Sequence, residues 1–137
     1  MKGSLDDREA EFVTVARVGR VATVSPDGMP HVVPICHILE AGKIVFATPV
    51  ASAKALNLAS NPRVCMVFDD YTEMWDELIQ VVVQGHAEML TEGEEFRRYR
   101  DLMFEKFPQY PTATDGISEV EDAMVVVSVD GVASDGL

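Results

Sequence analysis

The chain has 137 residues, enough for one domain with a real core, and 47% of them are hydrophobic against 25% charged, which excludes a disordered chain. Acids outnumber bases 23 to 11, for a formal charge of −12. A surface of that sign repels nucleic-acid backbones and anionic membranes, so neither is expected as a partner.

Residues 5–18 place Phe12, Val15 and Val18 at helical spacing behind an acid-rich first turn, which predicts a helix. Residues 21–25 form a short apolar strand. Pro26, Asp27 and Gly28 then supply a hairpin turn, with Pro at the second corner and Gly where φ is positive. Residues 31–39, HVVPICHIL, read as the return strand. Pro34 cannot donate to a ladder, so it marks an edge, a bulge or an opening of the pairing. A tight turn at 40–43 leads into a third strand, 44–48. Pro49 turns the chain into a short amphipathic helix, 52–60, with Ser52 as N-cap and Asn61-Pro62 as its stop.

The start of that helix is the chain's most suggestive corner. First-turn amides lack intrahelical partners and carry the positive end of the dipole, so they accept phosphate. The Ser52 hydroxyl and the Lys54 ammonium suit a terminal phosphate monoester. The other reading is a capped surface helix with a solvated lysine.

Residues 63–68, RVCMVF, have the continuous apolar character of a buried strand. A polar loop at 69–76 carries the only tryptophan, Trp75. Residues 78–90 form a long strand in which Gly85 predicts a bulge or a close backbone approach. Thr91 to Glu94 match a capping box, and Phe96, Tyr99, Met103 and Phe107 follow at helical spacing. A loop over 111–121 and a last strand over 123–129 complete the chain. Cys36 and Cys65 are expected as buried free thiols, since neither belongs to a CxxC pair. No apolar signal core or membrane-length run is present, which sets the expectation of a cytoplasmic protein. His31 and His37 fall on one predicted strand, where they could share a face, with His86 on another. Without acids or cysteines at ligand spacing, structural or ligand-lining roles outrank metal binding.

The six predicted strands, mostly joined by hairpins, favour an antiparallel sheet closed into a small barrel with helices outside, one domain over residues 1–137. This order of pieces resembles the pyridoxamine 5'-phosphate oxidase-like split β-barrel superfamily. The resemblance rests on the PDG hairpin with HVVPICHIL, on IVFATPVASAKALNLASNPRV with its FxT, SxK and NPRV elements, and on LIQVVVQGHAEML. It implies a homodimer binding FMN, or in some branches a deazaflavin coenzyme, between subunits. By position, Val32, Pro34, Ile35 and His37 would line the isoalloxazine ring and ribityl chain. Ala47 and Thr48 would meet the ring edge, Ser52 and Lys54 would hold the phosphate, and Gln80 would reach the flavin from the partner subunit.

Two departures qualify the resemblance. The phosphate motif has Ala53 where further bases are common, leaving His37 and Arg63 to supply charge. No arginine or lysine follows Lys106, which argues against oxidation of pyridoxamine phosphate itself. The expectation is a flavin-dependent oxidoreductase acting on a small molecule, with the flavin performing the redox step and no separate catalytic side chain. A non-catalytic flavin carrier, a deazaflavin-dependent reductase and a haem-binding relative are the alternatives. Trp75 would either cover the flavin or substrate, or serve as an interface or core aromatic.

Overall fold

The computed structural model describes residues 1–113 and 116–137. Seven strands form one antiparallel sheet in the order β2-β1-β5-β6-β7-β4-β3. They are β1 (Gly19–Val24), β2 (Pro30–Ile35), β3 (Ile38–Glu40), β4 (Lys43–Pro49), β5 (Arg63–Asp70), β6 (Ile79–Leu90) and β7 (Asp122–Asp135). The helices are α1 (Asp7–Val15), α2 (Ala53–Ser60), α3 (Glu94–Lys106) and the short α4 (Tyr110–Ala113).

Seven strands replace the expected six because HVVPICHIL is two strands. The β2 half pairs with β1 and the β3 half with β4, at opposite edges of the sheet. Only Cys36 and His37 separate these edges, so the sheet must curl toward itself, giving a half-barrel. Proline at position 34 removes one donor just before the break. His37 then turns inward, where its Nε2–H donates to the Val13 carbonyl at 2.8 Å. His31, half-buried, has the strand parity of Val33 and Ile35, and His37 is buried. Cys36 is exposed and Cys65 half-buried, not the buried thiols expected.

Inside the curl, Val21, Ile44, Phe46, Met66, Phe68, Val81, Val83, Val125 and Val127 make the main core, with Val13 of α1 and Leu58 of α2 closing it. A second cluster lies on the outer face of β4 and β7. There Phe96, Tyr99 and Met103 of α3 pack on Val45, Met124 and Val126. The helical spacing read for residues 96–107 therefore marks a true buried face, with Phe107 buried at the end of α3.

Other expectations need adjusting. The first helix stops at Val15 because Ala16 is already extended, so Val15 and Val18 are exposed and Val13 takes the core position. The capping box at Thr91–Glu94 does not form. Gly93, at φ 103° and ψ −178°, is the N-cap in a conformation open essentially to glycine alone. The 111–121 loop is entered through α4, and Thr114 and Asp115 lie outside the described residues. The last strand runs on to Asp135.

Gly85 behaves as expected in both respects. The β6–β7 register shifts between Gln84 and Gly85, and a Cβ on Gly85 would lie 2.3 Å from the Ser128 carbonyl oxygen. In the hairpin at residues 25–29, the Gly28 amide bonds the Ser25 carbonyl at 2.9 Å, and Gly28 has φ 88°.

Candidate functional site

Thr48 is the penultimate residue of β4, and the turn from Pro49 to Ser52, closed by the Ser52 amide on the Pro49 carbonyl at 3.0 Å, delivers Ser52 as N-cap of α2. The Ser52 Oγ accepts from the Thr48 hydroxyl at 2.8 Å and from the Ala55 amide at 3.2 Å. With both acceptor positions used, the hydroxyl's own proton is available to donate to an oxyanion. The role of Thr48 is thus to orient Ser52 from a buried position. α2 has no acid in its first turn, whereas α1 and α3 both do. In a chain so acidic, that leaves this helix start a locally electropositive corner. Burial lowers the pKa of the half-buried Lys54 amine, so an anionic ligand that restores its stabilisation is favoured.

α2 is itself anchored from below. The buried Asn57 Nδ2 donates to the buried Thr23 hydroxyl of β1 at 3.0 Å. Sequence reasoning did not single out this pair; the only signal was a polar residue inside the apolar run ALNLA.

The other predicted residues divide by strand parity. Val32 and Pro34 point outward from β2 opposite Ala22 and Arg20, and Val32 is 66% exposed. Ile35 and His37 face the interior. His37 is fully buried against Phe68, with ring centroids 4.6 Å apart, and burial drives its pKa from 6.5 to about 4. It is a neutral core side chain at physiological pH and brings no charge to the corner. Arg63, the other candidate cation, is exposed at the start of β5. Ala47 is half-buried on the α3 side of β4. Gln80 is exposed on β6, opposite Asp69 of β5 and Asp135 of β7. It lines a cleft of about 390 Å³ with Trp75, and none of the other predicted residues belongs to that cleft. The structure therefore brings together Thr48, Ser52 and Lys54, sets Val32 and Pro34 on an open strand face, and holds Gln80 apart.

Cross-strand rows extend that open face over four strands. One row runs Val32, Ala22, Cys65, Gln84; the next runs Pro34, Arg20, Val67, Val82. All eight are exposed or half-exposed. His86 lies on the surface, its Nδ1 2.9 Å from the Asp130 carboxylate.

The chain belongs to the pyridoxamine 5'-phosphate oxidase family, whose model matches residues 5–130. A 5a,11a-dehydrotetracycline/5a,11a-dehydrooxytetracycline reductase of Streptomyces rimosus is 32% identical over 96 residues, 66% of this chain and 68% of that protein. Among solved structures, a conserved hypothetical protein from Mycobacterium tuberculosis superposes with a TM-score of 0.81 at 27% identity, over 96% of this chain and 85% of that one. An FAD-binding protein from Mesorhizobium loti gives 0.76 at 22% identity, over 95% and 94%. An F420 reductase gives 0.75 at 18%, over 94% and 98%. These last two share the fold. Among the described residues, no helix is long and apolar enough to cross a membrane.

Proposed function

We propose that this chain is a homodimeric reductase that binds FMN and acts on a small molecule. The observation that carries the reading is the corner where Thr48 orients Ser52 beside Lys54 at an acid-free helix start. The first-turn amides and the Ser52 hydroxyl would donate to the phosphate, and Lys54 would supply the charge. Val32 and Pro34, apolar and outward on β2, would lie along the ring and ribityl chain. When bound, the flavin supplies the hydride or electron chemistry, so the chain's own side chains need only bind, orient and exclude water. The open apolar face around Ala22, Cys65, Val67 and Val82 suits a second copy, which would bring its Gln80 to the flavin. The similarity to a reductase from Streptomyces rimosus supports reduction over oxidation.

A deazaflavin-dependent reductase is the second reading, favoured by the fold shared with an F420 reductase. Mass spectrometry of the cofactor released from natively expressed protein decides between them, with FMN expected. A protein that takes up neither FMN nor a deazaflavin removes both readings. A protein that binds FMN, yet reduces it with NADH or NADPH no faster than free FMN, is a carrier and not an enzyme.

A further inference from the structure

We propose that the cleft between the end of β5 and the start of β6 selects planar molecules bearing a positive charge, such as a protonated or quaternary amine. Asp69, Gln80 and Asp135 form one row across three strands, so two carboxylates flank Gln80 on the same face. Asp70 lines the same cleft. Against these three carboxylates stands one guanidinium, Arg20, held to Asp69 at 2.9 Å. Residues 69–77 hold five acids and no base, so the field at the cleft is negative well beyond its rim.

The walls are aromatic. Trp75 is 73% exposed and Tyr71 65%, and the Trp75 indole N–H donates to the Tyr71 hydroxyl at 3.4 Å. That bond ties the two rings together, and both residues stay largely exposed. Leu78 adds apolar surface between them and Gln80. Aromatic faces attract cations and stack on flat molecules, while the carboxylates attract cations and repel anions. A planar cation suits both the aromatic walls and the carboxylates; a planar anion is repelled by the carboxylates. That such a molecule is the reaction's substrate rests on the flavin reading above, in which Gln80 approaches the ring. The binding preference itself does not.

Trp75 is the only tryptophan, so its fluorescence reports occupancy directly. The purified full chain is titrated with N-methylquinolinium, with the neutral 1-methylnaphthalene of similar shape, and with anionic 1-naphthoate, each confirmed by calorimetry. N-methylquinolinium is expected to bind about tenfold more tightly than 1-methylnaphthalene, with naphthoate weakest. The Asp70→Asn, Asp135→Asn double variant should lose most of that preference, as should wild type at high salt. Equal affinity for the cation and its neutral counterpart in wild type overturns the proposal, and so does a full preference in the double variant. Cation preference in a chain that takes up no FMN or deazaflavin sinks the flavin reading and leaves this one standing. Flavin uptake without the preference does the reverse.

Discussion

Lys54 and His37 are both basic residues partly or wholly removed from water, with different consequences. Lys54 stays at the surface of an electropositive corner and gains from an anion. His37 is sealed in the core, and only its neutral form fits there. Its folded pKa, about 4, is below the 6.5 of an unfolded histidine, so the unfolded state binds the extra proton first. The stabilisation is complete above pH 6.5 and is lost as pH falls toward 4, to a limit of about 3 kcal/mol. Urea unfolding at pH 7, 5.5 and 4.5 should show this loss in wild type and a visibly shallower one in His37→Leu; parallel curves would contradict the assignment. The lining role expected for His37 came from the family resemblance, read along one strand that the structure breaks at Cys36 and His37. Ser52 was legible because capping is a local rule. The bond from Thr48 that frees its proton was not, since it depends on how the 49–52 turn closes.

At the scale of elements, glycine and proline were the informative residues. Gly85 marked the register shift in β6, and the geometry now gives it a steric reason. Gly85→Ala must push a methyl against the Ser128 carbonyl of β7. We expect a loss of about 1–3 kcal/mol, read as a lower urea midpoint with an unchanged slope. A variant as stable as wild type would mean that the two strands separate freely there. Pro34 likewise announced an irregularity, but whether it was an edge, a bulge or a break could not be read locally. It precedes a break that splits one predicted strand and sends its halves to opposite edges of the sheet. The capping box at residues 91–94 failed for the opposite reason. The pattern was present, but with Gly93 as N-cap the helix starts two residues later than its spacing requires.

For the whole molecule, the telling segment is β5. Its run RVCMVF is apolar on both faces, as in a strand covered on both sides. Within one chain only the Val64, Met66 and Phe68 side is buried; Cys65 and Val67 remain half-exposed. That half-exposed side is where the second copy of the proposed dimer would pack. Light scattering is expected to give a dimer. Val82→Glu, which places a charge in the middle of that face, should shift it to monomer and weaken flavin uptake together if, as proposed, the partner completes the site. A monomeric wild type that still binds flavin would contradict this assembly.

The central claim is that the start of α2 grips the phosphate of a flavin nucleotide. Its most direct test is the affinity of wild type and Lys54→Ala for FMN and for riboflavin, which lacks the phosphate. FMN binding should weaken about ten- to a hundredfold in the variant while riboflavin binding barely changes. Equal losses for the two ligands, or none for FMN, would contradict the account.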